Sequence, residues 1–192
     1  MKTTAIFAEL LIIGVMTILL LFIVFGIAVG TQWCPTLLVL IKGANLLMSV
    51  LVLALAYIIG IIADESCDSI TRPLENRVIK RVFDDNSSKA WEFQARALLK
   101  SSEAATGLEY MRGRIRILRA IVVIAPLATG LGIAEILLRG TFFGSLKLGS
   151  ITLVAIVGSL LSASAFFTYH HLTDNYWRRV KEFGQKEKEE YN

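Results

Sequence analysis

Four long apolar runs, separated by polar and charged segments, dominate the chain. They lie at about 5–28, 37–63, 120–138 and 150–169. Each run is continuous and does not alternate, which argues against the strands of a membrane barrel. About 20 apolar residues in a helix cross a hydrocarbon core of about 30 Å. The pattern therefore predicts four transmembrane helices. The first run exceeds the roughly 7–15 residue core of a signal peptide, so it is expected to be retained as a span. The second is long for its task and is expected to tilt or protrude. Two short connectors, 31–36 with Trp33 and Pro35 and 139–149 with Phe142 and Phe143, join the spans pairwise.

The polar segments carry their own helical signals. Between the second and third runs lies an insert, 64–119. Thr71, Pro73 and Glu75 read as a helix start, with the helix running to about Phe83. Asp84-Asp85-Asn86-Ser87 breaks it. A second helix is expected from Ser88, with Trp91, Ala95, Leu98 and Leu99 at helical spacing. A third starts at Ser101-Ser102 and runs into the membrane despite Gly107 and Gly113. An insert of this size builds no robust core alone, so it must pack on itself, on the membrane surface or on neighbouring copies. Pro126 is expected to kink the third span. Ala128, Gly130, Gly132 and Ala134, and Gly158, Ser162, Ser164 and Ala165 in the fourth, permit close helix approach. The nearly all-polar residues 181–192 are expected to fray. The fold class is all-α, a polytopic membrane protein with four transmembrane helices and a helical cytoplasmic insert between helices 2 and 3. It divides into 1–63, 64–119, 120–170 and a tail, 171–192.

Composition agrees with that class. Hydrophobic residues make up 55% of the chain and charged residues 19%, with a mean hydropathy of +0.61. Soluble domains carry about a quarter charged residues. The net charge of +4 suits basic segments beside anionic lipid better than direct nucleic-acid binding. Charge also orients the chain. Lys2, the insert and the tail hold 17 Lys and Arg, against Arg139 and Lys147 on the other side. Lys and Arg are retained in the cytoplasm, so both termini and the insert are expected there. The two cysteines, Cys34 and Cys67, fall at opposite ends of one span and cannot pair within one chain. Neither belongs to a metal-type pair.

The densest candidate chemistry is Glu109 to Arg119, EYMRGRIRILR, directly before the third run. Arg112, Arg116 and Arg119 share a helix face at i, i+4 and i+7, and Arg114 points elsewhere. Three readings compete. The arginines can set topology alone, pair with Asp64 and Asp68 at the same membrane face, or bind lipid phosphate or a partner. Lys42 and Glu135 lie at similar depth in the second and third spans, where an intramembrane ion pair is expected. Glu9 is expected at an interface. His170-His171, with Asp174, form no convincing metal set. No G-x-S-x-G, H-E-x-x-H or phosphate-cradling glycine loop occurs, so no enzyme, metal or cofactor is expected.

Tyr57-Ile-Ile-Gly60-Ile-Ile-Ala-Asp64, followed about 45 residues later by the arginine stretch, resembles a pattern in uncharacterised bacterial four-span inner-membrane proteins. In size and layout the chain is also similar to membrane components of anti-phage defence systems, such as that of the Kiwa system. The resemblance implies no catalytic residues. The large charged insert, the short outer connectors and the absence of a catalytic set point to an inner-membrane scaffold or sensor that docks a cytosolic protein, and the small-residue faces to a homo-oligomer, for which the analogy favours a tetramer. The alternative is a pore or small transporter, suggested by Glu9, Lys42 and Glu135 inside spans.

Overall fold

The computed structural model describes residues 2–29, 46–83, 90–95, 102–138 and 147–190. Among these the protein is all-α. Four long helices, α1 (Lys2–Val29), α2 (Leu46–Val82), α3 (Ser102–Leu138) and α4 (Lys147–Glu190), are joined by a short helical segment at 90–95. All four are long and apolar enough to cross a membrane, and the protein is a multi-pass membrane protein. Only 11 to 22% of the apolar windows is buried within the chain. Most of that surface, such as Val50, Leu53, Leu160 and Phe167, points outward, as lipid-facing surface does.

The helices pack in the cyclic order α1, α2, α4, α3, with α2 also touching α3 across the middle. The tightest crossing joins α1 and α2. A Cβ on Gly14 would lie 1.7 Å from the Ala56 carbonyl oxygen, and one on Gly60 would lie 2.0 Å from that of Leu10. Only glycine lets the two backbones meet there. Ile13, Cys67, Ala120 and Ile124 close a small core between α1, α2 and α3.

Three helices outrun the bilayer. At 1.5 Å per residue, α2 is roughly 55 Å long and α4 roughly 66 Å. Beyond the apolar spans their ends form a charged head with its own core. Val78 and Ile79 of α2, and Phe83 just after it, meet Leu108 and Ile115 of α3 and Trp177 and Val180 of α4. The segment 90–95 closes over them. Phe93 packs where Gly184 leaves room, and Gln94 donates a 2.6 Å hydrogen bond to the Tyr176 hydroxyl. Lys181 donates to the carbonyl of Val82 at 2.6 Å, capping α2.

Two local expectations are corrected. Thr71 does not begin a helix, because α2 runs unbroken through Pro73. Proline removes one donor, to the carbonyl of Ser69, and both residues are exposed. Nor does the chain fray from Lys181, because α4 is helical to Glu190. Trp177 and Val180, 1% and 0% exposed, hold the tail in the head core. The division at 64, 119 and 170 therefore cuts three continuous helices. The aromatics Phe83, Tyr176 and Trp177 are buried within one chain by α4. The expected second helix is described only over 90–95, so Ser88, Leu98 and Leu99 lie outside the described residues, as do Trp33, Cys34, Pro35, the whole first connector and 139–146 of the second.

Candidate functional site at the junction of spans and head

The apolar run of α2 ends at Ala63, and that of α3 begins at Ala120. The next residues outward are Asp64 and Arg119. Asp64 and Asp68 stand one turn apart on α2, so their carboxylates share a face. Arg119, 8% exposed, reaches both. Its Nη2 donates to Asp64 Oδ1 at 2.9 Å, and its Nη1 donates to Asp68 Oδ1. Arg72 extends the ladder, donating to Asp68 Oδ2 at 3.3 Å. A guanidinium fork suits two carboxylates at once, and such charge-assisted bonds are the strong ones.

The other arginines divide. Arg116 turns to α1 and lies 3.6 Å from Glu9 Oε2, an ion pair too long for a hydrogen bond. Gly113 makes room for it, since a Cβ there would lie 2.0 Å from Glu9 Oε1. Arg114 is exposed and lies over the Tyr110 ring, 4.9 Å from its centroid. Arg112 forms no ion pair among the described residues. It lines a cavity of about 440 Å³ between α2, segment 90–95, α3 and α4. Asp68, Glu75, Trp91, Gln94 and Trp177 stand in the same wall.

The cavity is electrostatically tense. Glu75 lies roughly three turns past the apolar run of α2. Burial pushes its carboxyl above the usual range. Arg119 opposes the shift, Asp68 adds to it, and the Trp177 indole and Arg112 oppose it. Burial likewise raises the Tyr176 hydroxyl. Arg112 and the Gln94 hydrogen bond pull it back, and Glu75 pushes it further. In the cavity wall, the buried Arg119 Nε lacks an acceptor. The Trp177 indole donates toward the Glu75 carboxylate.

The remaining candidates fall elsewhere. Lys42 lies outside the described residues. Glu135 sits on α3 near Gly26 of α1, with its Oε1 3.7 Å from where a Cβ would stand. Glu9, a candidate pathway charge, is held by Arg116. His171 Nδ1 lies 3.1 Å from Asn175 Nδ2 on the same helix. Asp174 accepts from Arg178 at 2.7 Å. Cys67 is buried. Among the described residues no group of three metal-type ligands occurs.

Sequence reasoning missed the Glu9–Arg116 pair and the aromatic wall of the cavity. A signal for Glu75 existed. Asp64, Asp68 and Glu75 fall at i, i+4 and i+11 of one helix, which is a single face. Placing a helix start at Thr71 hid that register. Glu9 gave no comparable signal, because nothing local fixes which helix α1 meets. Compared with known proteins, the chain matches no family model, no curated protein and no solved structure.

Proposed function

We propose that this protein is a non-enzymatic scaffold or sensor of a bacterial inner membrane whose charged head docks a cytosolic protein. One observation carries this reading. Three helices pass without a break from the apolar spans into a head whose core they share. Packed helices move as rigid rods, so a tilt or separation of the spans displaces the head surface. The ion-paired junction of Glu9, Arg116, Asp64, Asp68 and Arg119 supports the coupling, since it ties α1, α2 and α3 where spans become head. The excess of basic residues on the head side supports a cytoplasmic head and cytoplasmic termini beside anionic lipid. The setting implied by the resemblance is anti-phage defence, with the bilayer disturbed by the phage and the docked protein as effector. Homo-oligomerisation, with four copies by analogy, would cover part of the outward apolar surface of α2.

Orientation is tested with engineered thiols in a Cys34→Ser background. Cys67 is buried and stays silent from either side. Lys80 is exposed on the head, and Leu148 is 80% exposed at the opposite end of α4. An impermeant thiol reagent, added to cells with a permeabilised outer barrier, should label Leu148→Cys and spare Lys80→Cys. The reverse pattern removes cytosolic docking. Docking is tested by co-purification from native membranes. A stoichiometric cytosolic protein should be lost on replacing the exposed head residues Arg77 and Lys80 by Glu, and kept with Leu127→Ala in the apolar span. No such protein, or one insensitive to both changes, rejects the scaffold.

A further inference from the structure

The junction cavity is larger than its ion pairs need. Its volume of about 440 Å³ falls in the range of small-ligand sites, roughly 300–1,000 Å³. Arg119 is 8% exposed, yet its Nε has no acceptor. A buried donor left unmade is unfavourable. The orphan group is a donor, so a ligand that completes it brings an acceptor oxygen. Arg112, also in the wall, forms no ion pair among the described residues. Arginine matches the geometry of phosphate oxygens.

Charge balance narrows the ligand. The wall holds four arginines and four carboxylates. A polyphosphate or nucleotide, with several negative charges, would meet a wall of no net charge. A group that carries one phosphate and one ammonium fits it. Glu75 forms no ion pair among the described residues and stands in the wall with Trp91, which is 54% exposed. A carboxylate beside an aromatic ring suits an ammonium. The cavity starts where the apolar runs end, at Asp64 and Arg119, and reaches roughly three turns outward to Glu75.

We propose that the cavity binds a phosphoethanolamine group, with phosphate oxygens on Arg112 and Arg119 Nε and the ammonium on Glu75 beside Trp91. The proposal rests on the cavity alone and is independent of the docking reading. The group comes either from phosphatidylethanolamine or from a free phosphoethanolamine.

Native mass spectrometry of the full-length protein in mild detergent tests it. The probes are phosphatidylethanolamine, phosphatidylcholine, phosphatidylglycerol and soluble O-phosphoethanolamine. Phosphatidylethanolamine should be retained about tenfold better than the other two lipids, because only it offers both ammonium donors and a balanced charge. Arg112→Gln and Glu75→Gln should each weaken retention about tenfold, and Arg114→Gln should leave it unchanged. Displacement by O-phosphoethanolamine at comparable concentration identifies the free group as sufficient. Failure to displace a selectively bound lipid identifies the lipid as the source. Equal retention of the three lipids without binding of the soluble probe overturns the site and leaves a water-filled cavity. A preference for phosphatidylglycerol overturns it as well, since that is general basic attraction. If Arg112→Gln fails to fold by circular dichroism, wild-type selectivity and Glu75→Gln still decide.

Discussion

At the scale of residues, three arginines of one helix face have three fates, and each fate follows from what the facing helix offers at that height. Arg119 meets two aspartates on α2, Arg116 meets Glu9 on α1, and Arg112 meets a cavity. Their stability effects should therefore differ. Arg119→Gln strands two carboxylates at once. Removing one partner of a fully buried pair costs about 3–5 kcal/mol. Asp64 and Asp68 keep 19% and 26% of their side-chain surface exposed, so about 2 kcal/mol is expected after solvent screening. Thermal unfolding in detergent measures it, and Asp64→Asn in the same chain should restore part of the loss. Arg114→Gln should stay within about 0.5 kcal/mol. Equal losses for Arg114 and Arg119 would contradict the ladder.

Among elements, the decisive contacts are made by residues with almost no side chain. Gly14 and Gly60 set the α1–α2 crossing, and no repacking makes room for a methyl group against a backbone carbonyl. Gly14→Ala should separate the helices and destabilise by about 1–3 kcal/mol. Gly130→Ala is the contrast, because a Cβ there meets nothing within 4 Å. It should be neutral or slightly stabilising, since alanine is the better helix former. Urea or thermal titration of both variants in one detergent makes the comparison. The same logic explains Gly113, which in sequence looks only like a weak point of a helix. Its missing side chain is where Glu9 sits.

For the whole molecule, the tail is a structural part of the head. Trp177, Tyr176 and Val180 fill the core beneath α2 and segment 90–95. Burying such side chains contributes roughly 1.5–3 kcal/mol each. A chain stopped after Thr173 should keep its four spans and lose its head. Limited proteolysis should then cut within 64–119 at protease levels that leave the full chain intact. Unchanged protection of the insert would mean that it folds without α4. The insert had to borrow a core from somewhere, as its size dictates. That it borrows from the last helix of its own chain is a fact of packing.

The fold class was legible because it rests on one-dimensional quantities. Run length against bilayer thickness gives the spans. Asp64 and Asp68 were legible as candidate partners of the arginines, since the edges of neighbouring apolar runs lie at one depth. The continuity of α2 through Pro73 was not, because a proline signals a helix start equally well when its surroundings are unknown. Nor was the choice of partner for each arginine. That choice depends on which helix lies opposite, and so on the cyclic order of the bundle. Two glycines set the crossing of α1 with α2, and with it the height at which Glu9 meets α3. Local pattern determined where the chain is apolar and where it is charged. Contacts between helices distant in sequence decided which charges meet, because a helix face acquires a neighbour only when the bundle closes.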